Sequence, residues 1–157
     1  MSIAQQHFTD GRDERRAAMA VLAQAQADEI ANGLERVGDS FNSTELRPAE
    51  IGLVMLRGRI GGDGAPFNVG EATVTRAAVQ LASGEKGFSY VLGRDARKAQ
   101  LAALCDALLQ TQEHRASVEQ HVLTPLRDAQ QQKRALKRAQ TAATRVDFFT
   151  MVRGEDA

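Results

Sequence analysis

Ile51-Gly52-Leu53-Val54-Met55-Leu56-Arg57, Gly61-Gly62-Asp63-Gly64, the Val- and Thr-rich run from Phe67 to Leu81, Ser83-Gly84-Glu85-Lys86 and Phe88-Ser89-Tyr90-Val91-Leu92 decide the fold. Three short runs of strand-forming residues alternate with two glycine-containing breaks, the pattern of an antiparallel meander. No helix-length segment separates the runs, so the crossover that parallel strands need has no room.

Outward from this centre the period changes to 3.6. On the N-terminal side, Asp13 to Ala25 is rich in the helix formers Ala, Leu and Arg, and Ile30, Leu34 and Val37 recur at i, i+4, i+7. Gly38 stands where a left-handed helix cap is expected, and the polar stretch Asp39 to Pro48 reads as a connection. On the C-terminal side, Asp95 reads as an N-cap before a stripe of Leu101, Leu104, Cys105 and Leu108. A long polar helix is expected from about His114, with a kink or restart at Thr124-Pro125. The fold class is therefore α+β, a single domain over residues 1–157. Helices cover about 10–38, the β-meander about 50–93 and further helices about 95–145, with a docking tail at 146–157.

Composition bounds the rest. A chain of 157 residues with 43% apolar and 25% charged residues can bury a core without metals or disulfides. Acidic and basic residues balance at 20 each, so no net field steers the chain toward nucleic acid or membrane. The single cysteine, Cys105, has no partner to oxidise with, which suits a reducing compartment. Met1 to His7 lacks a basic and then apolar leader, and no apolar run approaches the length of a membrane span, so the expected location is cytoplasmic.

Chemistry-bearing motifs are few. Gly61, Gly62 and Gly64 form either a hairpin turn or, with Arg76 and Arg94, a cradle for phosphate; the Gly-Lys-Ser/Thr ending of a P-loop is missing. His114 and His121 lie two helical turns apart, too far for a pair of metal ligands one turn apart. Cys105 sits among apolar residues and reads as a small buried hydrophobe, and no nucleophile motif is found, so no catalytic, cofactor-binding or metal residue is assigned. Lys133, Arg134, Lys137 and Arg138 form a basic cluster without interleaved aromatics, read as a solvated helix face. The tail Asp147-Phe148-Phe149-Thr150-Met151-Val152-Arg153 is apolar for a chain end and must dock, either on its own domain or in a partner. Its Asp147, Phe148, Phe149, Met151, Val152 and Arg153 are the expected partner-interface residues.

Five blocks then resemble one family: Gly52-Leu53-Val54, Arg59 to Gly64, Phe67 to Val79, Tyr90 to Asp95 and Arg145 to Gly154. The chain resembles the G subunits of the bacterial carbon–phosphorus lyase core complex, with Ala18 where a tryptophan is expected in relatives. That resemblance implies a hetero-oligomer with H, I and J subunits and ATP-binding-cassette-like accessory subunits. It implies a part in displacing adenine from ATP by a phosphonate, giving a ribose 1-phosphonate 5-triphosphate. It further implies that ATP is used by the complex, that an iron–sulfur cluster and S-adenosylmethionine belong to a partner subunit, and that this chain supports catalysis without performing it. Two other readings stay open: a small free-standing triphosphate-binding enzyme, tested by turnover of the lone chain, and a nucleic-acid-binding protein, tested by salt-dependent binding.

Overall fold

A computed structural model describes residues 3–38 and 40–144, the side chains of 3–10 excepted. The chain divides after Arg127 into two compact units. In the first, α1 (Ile3–Gln24) and α2 (Ala27–Val37) precede β1 (Ser43–Arg59), β2 (Pro66–Leu81) and β3 (Lys86–Leu92). Then come α3 (Ala96–Leu108), α4 (Gln112–Val118) and a π-helical turn, Glu119–Leu123. The last helix, α5 (Thr124–Ala143), starts in the first unit and supplies the described part of the second. The sheet is antiparallel in the order β1-β2-β3, so the α+β class and the meander are as the sequence indicates.

Within the first unit, the described helices pack on one face of the sheet. Thr75, Ala77 and Val79 of β2 lie opposite Val91, Ser89 and Gly87 of β3, and this face meets α3. Gly87 is where the layers come closest: a Cβ there would fall 1.9 Å from the Ala103 carbonyl oxygen. Beside it the Ser89 hydroxyl donates to the Ala99 carbonyl at 2.6 Å. Ala99, Ala102, Ala103, Cys105, Ala107 and Leu108 are all buried, because α3 has the sheet beneath it and α1, α2 and α4 around it. The expected stripe is thus too narrow: Leu101 and Leu104 are only half-buried, while alanines fill most of the seam. On α1 Ala18 and Leu22 are buried one turn apart, followed by Ala25 just past its end, and on α2 Ile30 and Leu34 are buried.

Three local expectations need correction. Ser43 to Pro48 is strand rather than connection. β1 lies at the sheet edge, where Pro48 needs no ladder donor, and its register slips between Arg47 and Glu50 at that proline. Gly38 has φ 172°, extended backbone rather than a left-handed cap. The first helix starts at Ile3 rather than near residue 10. Two other readings hold: Asp95 caps α3 by accepting from the Lys98 amide at 2.9 Å, and a new α-helical stretch starts at Thr124-Pro125, where the hydrogen-bond pattern changes. Pro125 has no N–H for the carbonyl one turn back, and the chain widens there into a π turn in which the Thr124 amide reaches Glu119. Gly33 of α2 presses on this turn, where a Cβ would lie 2.9 Å from the His121 carbonyl oxygen.

Candidate interaction surface

Among the described residues of the first unit, no helix packs on the opposite face of the sheet. Phe88, Tyr90 and Leu92 of β3 point that way, 49%, 58% and 70% exposed, opposite Ala78, Arg76 and Val74 of β2. Val74 and Ala78 on this face are buried without joining the main core. β3 pairs with β2 only from Val74 to Gln80, so β1 from Leu53 and β2 up to Thr73 continue as a two-stranded arm. At ~3.3 Å per residue the arm projects about 20 Å. Both of its faces are apolar and exposed, with Leu53 and Met55 on one side and Leu56, Phe67 and Val69 on the other. A two-stranded hairpin with bare faces is marginal in water, so this arm is shaped for contact.

Eleven of the twelve large, exposed apolar side chains among the described residues lie on the sheet, the arm or its tip, from Leu46 to Leu92. Their combined exposed area, spread over the sheet face, both sides of the arm and its tip, is on the order of 1,000 Å², comparable to one partner's share of a standard interface. The two sheet edges differ as well. On β3, Asp106 accepts from the Phe88 amide at 2.8 Å and Gln110 donates to the Lys86 carbonyl at 2.8 Å, so helix side chains occupy the edge. β1, at the other edge, runs for 17 residues.

One polar cluster interrupts the bare face. Arg76 sits between Glu50 on β1 and Tyr90 on β3 in the strand register. Its Nε and Nη2 donate to Glu50 Oε2 at 3.3 and 3.1 Å, and an Arg47 nitrogen lies 3.7 Å from the same oxygen. Hydrogen bonding to Tyr90, then to Glu50, raises the Arg76 guanidinium above its ordinary pKa.

Of the other residues singled out in the sequence, Gly61 and Gly62 adopt φ of 65° and 90°, and the Gly64 amide donates to the Ile60 carbonyl at 3.0 Å. These glycines close the β1–β2 hairpin. Arg76 lies ten residues along β2 from Pro66, about 30 Å away at the rise of a strand, so the structure does not bring it to the turn. Arg94 follows Gly93, whose amide pairs with the Thr73 carbonyl, and is likewise remote from the turn. Asp147, Phe148, Phe149, Met151, Val152 and Arg153, the expected interface residues, lie outside the described residues. His114 stacks edge-on against Phe41, ring centroids 5.5 Å apart. Lys133, Arg134, Lys137 and Arg138 are exposed on α5 in the second unit. Among the described residues no group of three or more His, Cys, Asp or Glu is placed to hold a metal ion, and no helix is long and apolar enough to cross a membrane.

A groove of about 700 Å³ between α1, α4 and the π turn is lined by Arg15, Arg115 and Arg127. Each is paired, with Asp106, Glu14 and Glu119 respectively. Arg15 grips the buried Asp106 with Nε and Nη2 at 2.7 and 2.6 Å, a pair that sequence reading missed because its members stand 91 residues apart. The one available signal was an acid inside the apolar run Leu104-Cys105-Asp106-Ala107-Leu108.

Cys105, next to Asp106 in the chain, is buried, and burial, then the Asp106 charge, push its thiol up to about 12. Unfolding exposes a thiol that ionises near 8.5–9, so between about pH 9 and 12 the unfolded chain releases a proton that the folded chain keeps. Stability falls as pH rises through that window, by at most about 1.4 kcal/mol per pH unit from this group. Urea titrations at pH 9, 10 and 11 will show a shallower decline for Cys105→Ala than for the unaltered chain. Identical slopes would mean that the thiol is not buried as described.

Residues 13–154 match the family described as phosphonate metabolism protein PhnG. The chain is also 50% identical over 149 residues, 93% of each chain, to a Rhizobium meliloti (strain 1021) protein named alpha-D-ribose 1-methylphosphonate 5-triphosphate synthase subunit PhnG.

Proposed function

Since the chain belongs to the PhnG family of phosphonate metabolism proteins, we propose that it is a subunit of a synthase making alpha-D-ribose 1-methylphosphonate 5-triphosphate in phosphonate catabolism. The observation that carries this reading is the bare apolar sheet face with its two-faced arm, a surface built for burial against other chains. The relative's name, a synthase subunit, supports it. In this reading the chain shapes and holds the assembly, and the reacting groups come from its partners. Those partners are the H, I and J subunits, joined by ATP-binding-cassette-like subunits. ATP is the substrate of the complex, and the iron–sulfur cluster and S-adenosylmethionine belong to the J subunit. The assembly works in the cytoplasm.

Co-expression with the neighbouring subunits tests the reading. The chain will co-elute with them as a stable hetero-oligomer, and the assembly with its accessory subunits will release adenine from ATP in the presence of methylphosphonate. The chain purified alone will release none. Adenine release by the lone chain would overturn the supporting role, and failure to co-elute would overturn the subunit assignment.

A further inference from the structure

We propose that the partner surface seated on the bare sheet face presents a carboxylate side chain to Arg47 and Arg76, within an otherwise apolar contact. This rests on reading that face as a subunit interface. Two guanidinium groups here share a single carboxylate: Glu50 Oε2 takes two hydrogen bonds from Arg76 and the charge of Arg47. The side chains of all three are between 41% and 47% exposed, so they remain open to solvent. Around them stand Tyr90, Leu92 and Phe88, which a partner covers only by removing that water. Glu50 balances one of the two guanidiniums, and stripping water from the uncompensated charge is strongly unfavourable, so an apolar partner lacking an acid would be repelled at this point. A second carboxylate balances the charge, and its two oxygens match the planar fork of arginine. A second copy of this chain does not fit: face-to-face pairing would bring four guanidiniums to two carboxylates.

Binding of the purified chain to the partner subunits, co-expressed without it, tests the proposal. Arg47→Met and Arg76→Met will each weaken binding at least tenfold while melting like the unaltered chain. Arg76→Lys, which keeps the charge and loses the fork, will fall between. Arg76→Glu will bind again when one partner acid is changed to arginine. Leu92→Asp serves as the control for the face itself. If Leu92→Asp abolishes binding and both Met variants bind normally, the carboxylate is wrong and the interface stands. If Leu92→Asp binds normally, the interface reading fails and takes the proposal with it. If the Met variants assemble normally but the assembly no longer binds inorganic triphosphate, the arginines serve phosphate and the proposal is overturned.

Discussion

Alanine at position 87 will prevent α3 from seating on the sheet and leave the chain largely unfolded. The added Cβ would fall 1.9 Å from the Ala103 carbonyl oxygen, 2.6 Å from the Ala107 nitrogen and 2.9 Å from the Ala107 Cβ. Two of these are backbone atoms of a regular helix, so no side chain can swing away to make room. The helix must withdraw as a unit, and Ala99, Ala102 and Ala103 lose their contact together. Overpacking one core position usually costs about 1–3 kcal/mol; withdrawal along a whole seam places this change at about 4 kcal/mol or more. Gly52→Ala is the control on the far strand of the same sheet, since nothing lies within 4 Å of a Cβ there. Urea midpoints of the two variants will differ widely. A Gly87→Ala chain that melts within a few degrees of the unaltered one would show that helix and sheet are not so close.

The second large effect concerns assembly and leaves the fold alone. Leu56 and Leu92 are 44% and 70% exposed, so changing both to aspartate removes little packing from the chain itself. Its stability will move by no more than about 0.5 kcal/mol per site, the usual range for surface changes. In a complex, each leucine buried against a partner contributes about 1.5–3 kcal/mol, and a desolvated, unpaired aspartate adds a further penalty. The double variant will bind its partner subunits at least a thousandfold more weakly and will stay in solution better than the unaltered chain. Calorimetry of the isolated chain and light scattering of the mixture separate the two effects. Normal assembly would remove the sheet face from the interface.

What the sequence disclosed depended on whether the signal was local. Glycine breaks at 61–64 and 83–84 and the strand-forming runs between them give the meander, and Asp95 and Pro125 mark helix boundaries through their own backbone chemistry. Burial of α3 on most sides left no periodic trace, because alanines at 99, 102, 103 and 107 carry too little apolar contrast. The strand from Ser43 to Pro48 was hidden by its edge position, which tolerates polar residues and a proline. Of the candidate site, Arg76 was singled out, yet its grouping with Glu50 and Tyr90 arises from cross-strand register that no local spacing encodes. One clue was available in Phe88-Ser89-Tyr90-Val91-Leu92, whose alternate positions are large and apolar on one side and buried on the other. A strand of that kind asks to be covered twice, and the described residues of the first unit cover it once.

The unequal edges of the sheet bear on the life of an orphaned copy in the cell. Helix side chains occupy the β3 edge, whereas the 17-residue β1 at the other edge, with Ile51, Leu53 and Met55 exposed, is of the kind that templates pairing with any extended chain nearby. Until a partner arrives, the copy displays the features by which holdases and proteases sort unfinished proteins. The expected result is an abundance that follows the supply of its partners rather than its own rate of synthesis.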